Sequence, residues 1–210
     1  MKKQMYQVIE NFMLEKMNDA AHDKFHIYRV LNSALEIARH TKNVDAEILT
    51  AACLLHDIGR DAQAKDPTLC HAQVGAEMAY QFLSQQGWQA NRALHVRDCI
   101  SSHRFRGDNA PETIEAKILF DADKLDVTGT VGIARTLIYC GQAHESLYNR
   151  DEDGKLITHK VGKETTSFVE EYNHKLKRIH KKLYTKQAKK IAKQRQKAAK
   201  KFYNALLEEI

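Results

Sequence analysis

The chain has 210 residues, of which 43% are hydrophobic and 29% are charged, and its formal net charge is +6 at pH 7. This composition excludes a disordered protein, and the length is sufficient for one domain with a substantial core. The first residues lack the apolar run of a signal peptide, and no stretch reaches the roughly 18 apolar residues of a membrane span. The four cysteines form no Cys-x-x-Cys pair and are interpreted as reduced thiols. We therefore expect a cytoplasmic protein with no membrane partner.

Apolar residues recur at helical spacing through most of the chain, which predicts an all-α protein. The stripes predict helices in the following order: residues 8–17, from Phe25 to Ala38, from Asn43 or Asp45 to Gly59, from His71 to Gly87, from Asn91 to Ser102, from Pro111 to the Asp121 segment, and residues 127–140. Residues 142–166 break the pattern and are interpreted as a loop or hairpin insertion. Residues 167–210 are predicted to be a long basic helix or helix pair, with a break near Tyr184-Thr185. We expect one domain over residues 1–210, with its core in residues 20–140.

Positive charge is concentrated near the C-terminus. Residues 175–201 contain thirteen Lys and Arg and no acidic residue, and the chain would be acidic without them. One hypothesis is a nucleic-acid-binding protein that docks through this basic tail, because such a segment can neutralise several phosphates. The alternative is a solvated face, since apolar residues run through the same segment and would pack against the bundle while the lysines stay in water.

The most informative feature is the dyad His56-Asp57, which ends the apolar run Ala51-Ala52-Cys53-Leu54-Leu55. A buried helix would carry this imidazole and carboxylate into the interior, where an unpaired charge is very costly. A divalent metal ion is the partner that suits neutral imidazole and carboxylate together.

Other segments offer further ligands on inward faces. His26 lies one helical turn before Val30 on the same apolar stripe, and Asp123 follows the apolar Leu119 and Ala122. The pair His71 and His103 is a further source, so with the dyad four separate segments would each have to bury a ligand by accident if no ion were bound. Arg29 and Lys124 lie beside two of these ligands and are interpreted as counter-charges for an anionic substrate.

At these residues the chain resembles the HD-domain metal-dependent phosphohydrolase superfamily. In the tail, Leu183-x-Thr185-x-x-Ala188-x-x-Ile191-Ala192-x-x-Arg195 resembles the C-terminal helix of the bacterial subgroup of predicted HD hydrolases. The motifs that carry the resemblance are, in chain order, His22-Asp23 before His26-x-x-Arg29-Val30, Leu54-Leu55-His56-Asp57-Ile58-Gly59, His71-x-x-x-Gly75-Ala76, Ile100-x-x-His103 and Asp121-Ala122-Asp123-Lys124-Leu125-Asp126. The resemblance covers roughly residues 20–140 and implies an HD-type helical bundle. It also implies that His26, His56, Asp57 and Asp123 hold the first metal ion.

The resemblance leaves the roles of His71 and His103 open. Relatives with two metals use two extra histidines between the dyad and the last aspartate, whereas in relatives with one metal such histidines orient water or bind phosphate. A purely structural role is the third alternative. Asp121 and Asp126 are expected to accept hydrogen bonds from a ligating histidine or from Lys124.

The expected reaction is hydrolysis of a phosphoester or phosphoanhydride in a nucleotide, by a pyrophosphohydrolase or nucleotidase. Mn, Ni, Co, Mg and Fe all suit the ligand set. Lys124 and Arg29 would hold phosphate oxygens, and His103 or His71 would deliver a proton to the leaving oxygen. Gln63, Arg104 and Tyr148 are candidate pocket residues in the loops. A rival hypothesis keeps the scaffold but uses all six ligands for a di-iron oxygenase.

Overall fold

The computed structural model describes residues 1–16, 24–104, 109–160 and 166–210. It divides into two compact units, Met1–Asp123 and Lys124–Ile210. The all-α prediction is confirmed, because within those ranges the extended segments form only isolated bridges and no named strand. The expectation of one domain over residues 1–210 stays a prediction.

The first unit is built from helices, several of which pack against the third. Their bounds are α1 Lys3–Lys16, α2 Lys24–Arg39, α3 Ala46–Leu55, α4 Arg60–Lys65, α5 His71–Gln85, α6 Ala90–Ser102 and α7 Ile114–Leu125, the last of which ends just beyond the unit. Most side chains of α3 are buried on every face, from Ile48 to Leu55. A helix of this kind is the interior element of its unit, so whatever follows it directly is delivered into the core.

The start of α3 is fixed by Asp45, one of the two predicted caps. Its Oδ1 accepts hydrogen bonds from the backbone N–H groups of Glu47 and Ile48, both at 3.0 Å. The same carboxylate binds Arg92, with 2.7 Å between Nη1 and Oδ2. These bonds satisfy helix N–H groups that would otherwise lack partners.

Two sequence-based boundaries differ from the structure. Pro111 was expected in the first turn of a helix, but α7 begins at Ile114 because the Thr113 hydroxyl accepts the N–H of Ala116 at 3.2 Å and takes the capping position. The short helix α4 was not expected, because its six residues carry no apolar periodicity. His22 and the end of the predicted first helix, Met17, lie outside the described residues.

The second unit is built from α8 Gly129–Gln142, α9 Phe168–His174, a 3-10 helix Leu176–Lys182 and α10 Lys186–Glu209. The rings of Tyr172 and Tyr203 stack with centroids 3.9 Å apart in its core. Thr185 caps α10 by accepting the N–H of Ala188, at the point where the sequence predicts a break. Between α8 and α9, Arg150 and Leu156 form an antiparallel bridge.

Among the described residues, none of the helices is both long and apolar enough to cross a lipid bilayer.

Candidate metal centre

The dyad lies where the interior helix ends. His56 directly follows Leu55, the last residue of α3, and Asp57 follows in the turn that leads to α4. Both side chains are almost completely buried, with exposed fractions of 0% and 2%. The apolar sequence of α3 therefore places an imidazole and a carboxylate where water cannot solvate them.

The structure brings all six predicted ligands of the first unit together in two groups. The ligand atoms within each group lie within 4.8 Å of one another. One group contains His26, His56 and Asp123, and the other contains Asp57, His71 and His103.

Asp57 connects the two groups through its separate oxygen atoms. Oδ2 lies 3.6 Å from Nε2 of His26 and 3.6 Å from Nε2 of His56. Oδ1 lies 3.6 Å from Nε2 of His71 and 3.6 Å from Nε2 of His103. With metal–ligand distances of about 2.0–2.2 Å, atoms bound to one ion lie roughly 3 to 3.5 Å apart, so both groups have nearly the spacing of a coordination shell.

Several of these atoms have no hydrogen-bond partner although they are buried. In the described part of the chain, they include Nε2 of His56, Oδ1 of Asp57 and Nε2 of His71. Buried polar atoms without partners are rare, because leaving one unsatisfied costs about 1–3 kcal/mol. Three of them at one place indicate that the residues fit divalent metal ions, which would accept their lone pairs.

The opposite ring nitrogens fix the tautomers that such a site requires. Nδ1 of His56 lies 2.8 Å from the carbonyl oxygen of Cys53, and Nδ1 of His103 lies 2.6 Å from that of Ile100. Nδ1 of His71 lies 2.6 Å from Oε1 of Gln63. Each acceptor requires a proton on Nδ1, which leaves Nε2 as a lone-pair donor for metal.

The electrostatic environment keeps the imidazoles neutral and the carboxylate ionised. Burial lowers the pKa of His56 to about 4. Burial and the nearby charge of Arg60 lower the pKa of His71 to about 2. Burial opposes ionisation of Asp57, but His56, Arg60 and the neighbouring imidazoles outweigh it and hold its pKa well below the usual value. Neutral imidazole and carboxylate are the forms that bind metal.

Two arginines lie beside ligand residues of the groups, Arg60 at Asp57 and Arg104 at His71. Arg60 donates from Nε to Oδ2 of Asp57 at 2.7 Å, and Nη1 of Arg104 lies 3.5 Å from Oε1 of Gln63. Sequence reasoning proposed Gln63 and Arg104 as pocket residues but missed Arg60. The available signal was its position three residues after Asp57, across the turn at Gly59.

The other predicted residues are placed as follows. Arg29 is half-buried on α2, and Asp121 is completely buried on α7. Lys124 is half-buried at the start of the second unit.

Two residues of the second unit have defined partners there. Asp126 binds Nη1 of Arg135 through Oδ2 at 2.5 Å, and the guanidinium of Arg150 lies 5.7 Å from the ring of Tyr148. The positioning role expected for Asp121 and Asp126 stays a prediction.

Comparisons with known proteins agree with this geometry. Residues 25–128 match the model of the HD domain family, a segment that contains both groups. The uncharacterized protein YpgQ of Bacillus subtilis strain 168 is 30% identical over 179 residues, which span 84% of this chain and 78% of YpgQ.

Solved structures extend the likeness to nearly the whole chain. The crystal structure of Bacillus subtilis YpgQ in complex with ADP has a TM-score of 0.75 at 27% identity, over 98% of this chain and 97% of that one. A predicted HD superfamily hydrolase from an uncultured Thermotogales bacterium has a TM-score of 0.65 at 28% identity, over 99% and 92% of the two chains. The chain therefore belongs to the HD-domain superfamily, a membership that supports a metal-dependent phosphohydrolase in general terms.

Proposed function

We propose that the chain hydrolyses a phosphoester or phosphoanhydride bond of a nucleotide, as a pyrophosphohydrolase or nucleotidase. His26, His56, Asp57 and Asp123 hold one divalent ion, and His71 and His103 hold a second that shares Asp57. The observation that carries this proposal is the position of Asp57, with one carboxylate oxygen facing each group of imidazoles. The ADP bound to the related YpgQ supports a nucleotide as the substrate class.

Bound divalent ions would supply Lewis-acid activation of water at neutral pH and would offset negative charge on the phosphoryl group. The chain's own contribution is to hold six ligand side chains ready in the correct protonation state. Because burial and the Nδ1 contacts fix the neutral tautomers beforehand, little reorganisation is needed when the substrate arrives.

Basic side chains would bind the phosphate oxygens that do not react. Arg60 contacts Asp57, which lies between the two groups, and Arg104 lies near His71 of the second group. Arg29 and Lys124 are near the first-group ligands in the sequence. Guanidinium groups suit this role because their planar donors match two phosphate oxygens at once. His103 or His71 would deliver a proton to the leaving oxygen where only one ion is bound.

A di-iron oxygenase is the second candidate, because it needs all six ligands and the six side chains converge. The two reactions have different requirements. An oxygenase would consume dioxygen and contain two irons per chain, whereas a hydrolase would release phosphate or pyrophosphate anaerobically with manganese, cobalt, nickel or magnesium.

The decisive experiment combines metal analysis with product analysis. Purified protein is loaded anaerobically with each metal and assayed on nucleoside mono-, di- and triphosphates, with phosphate and pyrophosphate measured separately. We expect two ions per wild-type chain, one in His71→Ala and none in Asp57→Ala, with turnover lost in the last. His40→Ala removes an exposed histidine as a control and should keep both ions.

The outcomes separate the hypotheses. Pyrophosphate as the product identifies a pyrophosphohydrolase, and phosphate identifies a nucleotidase. Loss of turnover in Asp57→Ala with full metal content would contradict the ligand assignment. Absence of both products with every metal and nucleotide would overturn the proposed function.

A further inference from the structure

One face of α10 consists almost entirely of lysines. Seven of them lie along this helix, and all seven are exposed: Lys186, Lys189, Lys190, Lys193, Lys197, Lys200 and Lys201. At about 100° per residue they fall within an arc of about 120°, and at about 1.5 Å per residue they extend over roughly 22 Å of the helix axis. We call this face the lysine stripe.

The opposite side of α10 packs within its own unit, and this packing determines which way the lysine stripe faces. Ala188, Ala192 and Tyr203 are buried on the opposite side. Arg195 also points inward and donates from Nη1 to the carbonyl oxygen of Leu125 at 2.8 Å. The helix therefore cannot turn its lysines toward the protein, and they face solvent.

The lysine stripe lacks the acidic side chains that normally balance positive charge on a solvated helix face. The sequence has no acidic residue from 172 to 207, and within the described ranges no carboxylate pairs with any of the seven lysines. Instead, lysines occupy positions three and four residues apart, as with Lys186 and Lys190 or Lys193 and Lys197. Like charges at this spacing destabilise a helix, whereas interleaved glutamates would stabilise it. An external polyanion would relieve this repulsion.

We propose that the lysine stripe binds the phosphate backbone of a nucleic acid, as a surface separate from the metal centre. A straight row of cations with one or two lysines per turn fits a linear array of phosphates. From 186 to 204 the arc contains no aromatic residue for base stacking and no apolar residue for insertion into a lipid bilayer; its remaining member is Asn204. Binding should therefore depend strongly on salt and little on sequence.

The test is fluorescence anisotropy with a labelled 20-base-pair DNA duplex and a labelled 20-nucleotide RNA, between 25 and 200 mM salt. Each lysine–phosphate contact contributes about 0.9 to the slope of log affinity against log salt on duplex DNA. Replacing Lys189, Lys193, Lys197 and Lys200 with Gln should reduce that slope by about three to four. Replacing Lys2, Lys3, Lys42 and Lys65, exposed lysines of the first unit, removes the same charge and should leave the slope unchanged.

Three further measurements keep the test independent of folding and of the metal centre. The same four positions changed to Arg should retain affinity, because the charge is kept. Asp57→Ala should bind nucleic acid as the wild type does. Equal losses in the stripe and control variants, or no binding at 25 mM salt, would overturn the proposal. So would retention on phosphatidylserine vesicles without nucleic-acid binding, which would identify a membrane surface as the partner.

Discussion

His71 differs from His56 and His103 in how its ring is held. His56 and His103 direct Nδ1 to a main-chain carbonyl three residues earlier, a contact that no substitution can remove. His71 depends on the side chain of Gln63, which lies on α4. The tautomer of one ligand in the second group is therefore set by a replaceable residue.

Gln63→Leu should weaken the second metal site selectively. Without the acceptor, the remaining neighbour of Nδ1 of His71 is Nη1 of Arg104 at 3.4 Å, a donor that favours the other tautomer. We therefore expect a 10- to 100-fold loss of affinity for that ion. Calorimetric titration of metal-free protein with manganese, supported by metal analysis, measures both sites.

Two variants control this prediction. Gln63→Glu keeps an acceptor oxygen and should retain the site, and Gln81→Leu changes an exposed glutamine of α5 and should have no effect. Equal weakening of both sites in Gln63→Leu would show that Gln63 supports the fold rather than His71.

At the scale of elements, a glycine contact brings α5 against the turn that follows the dyad. A Cβ atom on Gly59 would lie 2.3 Å from the carbonyl oxygen of His71 and 2.6 Å from the nitrogen of Gly75. Both neighbours are main-chain atoms, so they cannot yield without moving the helix. The absence of a side chain at Gly59 thus allows His71 to reach Asp57.

Gly59→Ala should therefore reduce both stability and occupancy of the second metal site. Overpacking of this kind costs about 1–3 kcal/mol, and here it displaces the backbone of a ligand residue. Urea unfolding and metal content provide the two measurements. Gly75→Ala is the matched comparison, because its Cβ would be 3.1 Å from the nearest atom, the nitrogen of Gly59, and its effect should be smaller. A larger loss of stability and metal content in Gly75→Ala than in Gly59→Ala would contradict this explanation.

The elements also show what could be predicted from the sequence. The bounds of α5 and α6 were predicted to within two residues because apolar residues repeat with the helical period and Gly87 marks an end. The convergence of His26, the dyad and Asp123 followed from inward-facing positions and family motifs. By contrast, the pairing of Gln63 with His71 depends on the close approach of α4 and α5, which no local pattern encodes.

At the scale of the whole molecule, the buried imidazoles should make the metal-free protein sensitive to acid. In the unfolded chain a histidine has a pKa near about 6.5, whereas folding lowers that of His56 to about 4 and that of His71 to about 2. Between these values the unfolded state binds more protons than the folded state. The free energy of unfolding therefore has its full value above about pH 6.5 and decreases as the pH falls toward 4.

Urea unfolding in the presence of a chelator at pH 7, 6 and 5 tests this expectation. Two such histidines give a limiting slope of about 2.7 kcal/mol per pH unit. His71→Gln should reduce this slope to about half, because one of the two titrating histidines is then absent. A stability that is constant or rises on acidification would show that these rings are protonated in the folded state.

The position of Asp57 between the two ligand groups has a consequence for the interpretation of related sequences. Since one oxygen of Asp57 faces each group of imidazoles, the His-Asp signature that names the superfamily is compatible with a centre of one metal ion or of two. A lineage could move between mononuclear and dinuclear chemistry by exchanging the positions equivalent to His71 and His103 while its hallmark stayed intact. Surveys that sort such sequences by the dyad alone would therefore merge enzymes of different stoichiometry.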